Sequence, residues 1–246
     1  MAVEKDKSND KTESSNSSIC KKAAGIKAFV FDMDGLLFDS ERIVQRSWEI
    51  AGDELGILHM GDVIYHTLGM NRAGRNEYFR KHIREDFPFE EFGELTRDNF
   101  WKIVDKEGLP LKRGAKELLA YGKEQGYKMA VATSSSREYA MGNLIRAGID
   151  SYFDNVICGD MVKKAKPDPE IYQKACESLG ISPADCMAFE DAPGGILSAH
   201  QAGMQVIMVP DLVQPTQEIR ELTYRVCDSL ADVIGDGKSG FFPVPG

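Results

Sequence analysis

The fold class this sequence predicts is α/β: a doubly wound parallel sheet, Rossmann-like, with an inserted all-helical cap. Three observations predict it. From residue 108 onward, helix and strand signals alternate, the order expected of a parallel sheet covered by helices. Near the start, the apolar run Ala28-Phe29-Val30-Phe31 ends in Asp32-Met33-Asp34-Gly35. Ionised carboxylates are costly to bury unless paired or bound to a metal, so this run reads as a buried strand ending at a ligand crevice. Between these two regions, residues 40–107 carry helical spacing and no convincing strand.

Taken in order, residues 1–24 are rich in Lys, Ser, Asn and Asp and almost free of apolar side chains. They cannot bury enough surface to offset ordering, and they lack the apolar stretch of a signal peptide, so a disordered tail is expected. After the first strand, Ser40 is placed to cap a helix whose Val44, Trp48, Ala51 and Leu55 follow helical spacing. Further helices are expected over Arg72–Ile83 and Phe89–Lys106. This segment, 40–107, reads as a cap entering beside the double-aspartate loop, where it would exclude water and choose the substrate. The catalytic core would then comprise 25–39 and 108–246.

Within that core, Lys112–Gln125 reads as a helix ending at Gly126, and Tyr127–Ala132 as a strand. Arg137–Ala147 reads as a helix closed by Gly148, and Asn155–Cys158 as a short strand. Asp168-Pro169 resembles an N-cap with proline at the first helical position, opening a helix to Leu179. Met187–Phe189, Pro193–Ala202 and Gln205–Val209 complete the alternation as strand, helix and strand.

Composition narrows the partners. The 246 residues are 42% hydrophobic and carry a net charge of −9 without a basic stripe. That balance argues against nucleic acid and anionic membranes. No run approaches a membrane span. Five cysteines, odd in number and scattered without a Cys-x-x-Cys pair, do not make a disulfide framework. A cytoplasmic location is expected, and no protein partner is implied.

Four polar segments gather at the ends of the apolar runs. They are Asp32 and Asp34; Thr133-Ser134-Ser135; Lys166-Pro167 ahead of a helix; and Glu190-Asp191 ahead of Ala192-Pro193-Gly194-Gly195. In parallel α/β sheets such ends converge on one crevice. Carboxylates suit Mg²⁺, a hydroxyl and a lysine suit phosphate oxygens, and one carboxylate in line with phosphorus can be a nucleophile. Alone, each has an ordinary reading. Asp32 and Asp34 would make a solvated turn; Thr133, Ser134 or Ser135 would cap a helix; Lys166 would be a solvated lysine; Glu190 and Asp191 would cap the helix at Pro193. An EF-hand is excluded by the glycine position and a missing acidic ligand. Gly237-Lys238-Ser239 lacks the upstream glycine of a P-loop and reads as a C-terminal loop. The four histidines form no metal-ligand pattern, and Phe89, Phe92 and Phe100 read as cap core.

The segments DMDGLLFDSE, VATSSS, AKPDPEIY and FEDAPGGI resemble the four ordered motifs of the haloacid dehalogenase superfamily. They look most like its branch of sugar-phosphate phosphatases and β-phosphoglucomutase-like proteins. The resemblance implies Asp32 as the nucleophile forming an aspartyl-phosphate and Asp34 as the general acid, then base. It implies Mg²⁺ held by Asp32, the backbone carbonyl of Asp34 and Asp191, with Glu190 at the metal or one water away. Thr133 and Lys166 would grip the phosphoryl group, with Ser134 beside them. Gly69-Met70-Asn71-Arg72 resembles the family's specificity loop, making Gly69 and Arg72 candidate substrate contacts.

The implied activity is Mg²⁺-dependent hydrolysis of a small phosphorylated metabolite, with a sugar phosphate favoured. A β-phosphoglucomutase-type phosphoryl transfer is the rival, weakened because Val44 stands where the mutases typically carry histidine. Dehalogenases lack the second aspartate, and no cap lysine is marked as the Schiff base of a phosphonatase. A non-catalytic phospho-ligand regulator would be expected to have lost Asp32 or Asp34.

Overall fold

The protein is described here by a computed structural model, which covers residues 25–67 and 72–234. Six parallel strands form one sheet in the order β3-β2-β1-β4-β5-β6. They are β1 (Ala28–Phe31), β2 (Lys128–Ala132), β3 (Asn155–Ile157), β4 (Cys186–Glu190), β5 (Gln205–Met208) and β6 (Arg225–Val226). The expected doubly wound α/β class is what the chain adopts. β1 lies at the centre and every residue in it is buried, which explains its continuous apolar run.

Alternation along β1 divides the core into two layers. Phe29 and Phe31 enter one layer with Met129, Met187 and Phe189. Ala28 and Val30 enter the other with Ala188, Tyr172 and Val206. The Phe31 and Phe189 rings stack with centroids 4.8 Å apart, and Phe29 meets Phe189 edge-on at 5.3 Å. Burying each such ring contributes roughly 1.5–3 kcal/mol, so these pairs anchor the strand that carries Asp32.

Four helices lie between β1 and the next core helix: α1 (Ser40–Glu54), α2 (Met60–Thr67), α3 (Arg72–His82) and α4 (Phe89–Glu107). They form the expected helical cap around a core of their own, with Trp48, Met60, Ile64, Phe79, Phe87 and Phe92 buried. Trp48 meets Phe79 and Phe92 at 5.6 and 5.7 Å. The core helices are α5 (Ala115–Glu124), α6 (Arg137–Arg146), α7 (Glu170–Leu179), α8 (Pro193–Gln201) and α9 (Gln217–Leu222).

Several local expectations are corrected. Ser40 is the first residue inside α1 rather than its cap, because its hydroxyl accepts from the Gly35 N–H at 3.2 Å. The helix expected from Lys112 begins at Ala115, since the Lys112 N–H pairs with the Leu37 carbonyl. α7 starts at Glu170, one residue later than expected, and Asp168 Oδ1 accepts from the Glu170 N–H. Neither Ser134 nor Ser135 caps α6; Ser136 does, accepting from the Tyr139 N–H at 3.4 Å. α2, α9 and β6 were not anticipated.

The N-terminal tail, Gly69 and Gly237-Lys238-Ser239 lie outside the described residues, and so does the Arg72 side chain. Among the described residues, no helix is long and apolar enough to cross a membrane. Cys158, Cys176, Cys186 and Cys227 are free and buried.

Candidate active site

The site follows from strand register. Phe31 pairs with Val131 on one side and Phe189 on the other, so the residues just beyond them come together at one end of the sheet. Asp32 follows β1, Thr133 follows β2, and Glu190-Asp191 closes β4. Lys166 comes from the loop between β3 and α7. Its Nζ lies 2.5 Å from Asp32 Oδ1, 2.6 Å from Glu190 Oε1 and 3.0 Å from the Ala132 carbonyl. Tyr172 of α7 donates to Glu190 Oε1 at 2.5 Å, and the Asp191 N–H donates to Glu190 Oε2 at 3.2 Å.

Two glycines make this packing possible. A Cβ at Gly195 would sit 1.8 Å from Glu190 Oε1. One at Gly35 would sit 2.3 Å from Asp191 Oδ2, and the Gly35 φ of +83° disfavours any side chain there.

Asp32, Glu190 and Asp191 each offer a carboxylate oxygen, all within 4.8 Å of one another. One ammonium cannot neutralise three carboxylates. Burial pushes Asp32 up to about 8, against the pull of Lys166 and with the repulsion of Glu190. Burial, then the Asp32 and Glu190 charges, lift Asp191 well above the usual carboxylate range. Burial pulls Lys166 down, but Asp32 and Glu190 outweigh it and the net shift is upward, so Lys166 stays charged. A cluster of hard oxygen donors with surplus negative charge fits a divalent cation such as Mg²⁺.

Asp34 faces different chemistry. The Ser135 hydroxyl donates to its Oδ2 at 2.7 Å, and the Tyr139 hydroxyl to its Oδ1 at 3.1 Å. Thr133 is buried; its N–H pairs with the Ile157 carbonyl and its Oγ1 accepts from the Ser135 N–H at 3.1 Å. Ser134 is exposed, and Ser135 is the serine brought to Asp34.

Cap residues border this centre. Val44, Thr96, Phe100 and Trp101 share with Tyr139 a cavity of about 410 Å³ between α1, α4 and α6. Burial, with the Asp211 and Asp34 charges, pushes Glu41 up to about 7 against the pull of Arg75. Tyr139, Tyr172 and Glu41 escaped the sequence reading. Tyr172 lies within the quoted AKPDPEIY segment, but nothing in sequence shows that its hydroxyl returns to Glu190.

The family model described as haloacid dehalogenase-like hydrolase matches residues 26–203. A "Phosphorylated carbohydrates phosphatase" of Thermotoga maritima is 30% identical, covering 74% of this chain and 84% of its own. "Hexitol phosphatase A" of Escherichia coli K12 is 31% identical, covering 74% and 82%. Among solved structures, a haloacid dehalogenase family hydrolase from Deinococcus radiodurans with bound phosphate and sodium superposes with a TM-score of 0.73 at 25% identity, covering 85% of this chain and 94% of its own. The protein belongs to the haloacid dehalogenase-like hydrolases.

Proposed function

We propose that this hydrolase is a phosphoric monoester hydrolase: a Mg²⁺-dependent phosphatase that cleaves the phosphate of a small sugar or polyol through an aspartyl-phosphate on Asp32. The observation that carries the reading is the Lys166–Asp32–Glu190 network lying beside a second carboxyl, Asp34, that accepts from the Ser135 and Tyr139 hydroxyls. The relatives named as phosphatases of phosphorylated carbohydrates and hexitols support the substrate class.

In this reading an Asp32 carboxylate oxygen attacks phosphorus, and the bond from phosphorus to the leaving oxygen breaks as Asp34 donates it a proton. Water then attacks the aspartyl-phosphate, Asp34 takes its proton, and the bond from Asp32 to phosphorus breaks. Lys166 neutralises the transferring group, and Thr133, whose oxygen accepts from Ser135, keeps its own proton to donate. Asp32, Asp191 and the Asp34 backbone carbonyl would hold Mg²⁺. Glu190 already accepts from Lys166, Tyr172 and the Asp191 N–H, which favours contact through a water. When bound, the ion would offset the charge of phosphate and carboxylates.

Residues 25–39 and 108–246 act as the catalytic core and 40–107 as the cap, with Gly69, Arg72 and Ser134 as candidate substrate contacts. The free, buried cysteines fit a reducing cytoplasm. Val44, lining the cavity beside Tyr139, offers no proton to a transferred sugar and favours hydrolysis over a mutase reaction.

Phosphate release from a panel of sugar and polyol phosphates tests this directly. Release should require Mg²⁺, stop with EDTA, and vanish in Asp32→Asn. Turnover by that variant at the wild-type rate would overturn the reading.

A further inference from the structure

One side chain joins the cap to the acid–base carboxyl. Tyr139 lies in the first turn of α6. Its hydroxyl is on Asp34 Oδ1 at 3.1 Å, while its ring packs against two aromatic residues of α4. Phe100 is 6.0 Å from it, centroid to centroid, and Trp101 is 5.6 Å away at an interplanar angle of 67°. Trp101 is itself covered by the Arg146 guanidinium at 5.9 Å, and Arg146 pairs with Asp105 of α4 at 3.1 Å. These contacts tie α4 of the cap to α6 of the core beside Asp34.

We propose that Tyr139 is a positioning residue for Asp34: its hydroxyl fixes the orientation of the carboxyl, and Phe100 and Trp101 of the cap fix the ring. The packing of α4 on α6 therefore sets where the proton donor points. This rests on Asp34 being the general acid of the proposed function and adds which groups aim it. Tyr139 does not itself carry the proton, since burial and the Asp34 and Glu41 charges hold its phenol above its ordinary range and neutral. A tyrosine present for packing alone has no need to direct its hydroxyl at a carboxyl.

Leaving-group dependence separates this role from simple destabilisation. An alkoxide needs a proton to leave, whereas 4-nitrophenolate does not, so misaiming Asp34 should slow only the first. For Tyr139→Phe, kcat/KM with 2-glycerophosphate should fall about tenfold or more, and with 4-nitrophenyl phosphate it should stay within about twofold. Trp101→Ala should show the same selectivity more weakly. It should add nothing in the Tyr139→Phe background, because both act through one ring. Equal losses on both substrates, or no loss on either, would overturn the inference. Asp34→Asn serves as the control. If it discriminates between the substrates and Tyr139→Phe does not, only the positioning role fails. If Asp34→Asn does not discriminate, the acid role in the proposed function fails and the positioning role with it.

Discussion

Asp32 and Asp34 stand two residues apart in one turn, and the protein surrounds them with opposite chemistry. Asp32 meets a buried ammonium and two further carboxylates. Asp34 meets two neutral hydroxyls, one from the loop after β2 and one from α6 beneath the cap. Charge concentrated around the first suits phosphorus and a divalent ion. Neutral, directional donors around the second suit a group that must give and take a proton in a fixed orientation. In the proposed function, identical side chains thus take different roles from their surroundings.

The comparison can be broken most forcefully at Lys166. Replacing it by Met leaves Asp32 and Glu190 buried without their cation. Turnover should fall at least about a hundredfold, and the metal-free protein should lose roughly 3–5 kcal/mol in denaturant unfolding. Mg²⁺ should restore part of that stability and little of the turnover. Full activity in Lys166→Met would remove the charged half of the contrast.

A smaller effect is expected at Tyr172. Tyr172→Phe removes one donor from Glu190 while keeping the ring, and Lys166 still reaches the same oxygen. The expected cost is about 1–2 kcal/mol of stability. The apparent affinity for Mg²⁺ should weaken several-fold, read from the Mg²⁺ dependence of phosphate release. An unchanged Mg²⁺ profile would show that Glu190 does not act on the ion.

The subtlest break is at Glu41, at the cap edge of the same cleft. Burial, chiefly, raises its carboxyl from 4.5 to about 7 in the folded protein. A raised carboxyl contributes stability that is fully present below about pH 4.5 and lost as pH rises through about 7. Glu41→Gln should therefore match the wild type at pH 4.5 and exceed it by roughly 1–2 kcal/mol at pH 8. Thermal melts across that range provide the check, and parallel curves would place Glu41 in solvent.

The charged half of the site was legible in the sequence, while the hydroxyl half was largely hidden. Asp32, Lys166, Glu190 and Asp191 each have an ordinary reading alone, and they stood out only as one ordered set at the ends of apolar runs that resembles the family's motifs. Tyr139 and Tyr172 are amphipathic residues at ordinary helical positions, and their roles arise only when separate elements meet. Thr133, Ser134 and Ser135 were the expected capping residues, and Ser136 caps α6 instead, because neighbouring hydroxyl residues are all able to cap. β6 has two residues and α9 six, too few for a periodic signal. The strands β1, β2, β4 and β5 were readable because a sheet buried on both faces selects continuous apolar runs.

The division of labour itself can be observed in Asp34→Asn with 4-nitrophenyl phosphate. This substrate needs no acid for the first step, and the variant lacks the base for the second. The account predicts a burst of nitrophenolate approaching one equivalent, then slow turnover. Acid quench and borohydride reduction should convert the aspartyl-phosphate at residue 32 to homoserine, seen by peptide mass spectrometry. A reaction with no burst, or with the phosphoryl group on another residue, would contradict the assignment of Asp32 as nucleophile and Asp34 as its proton partner.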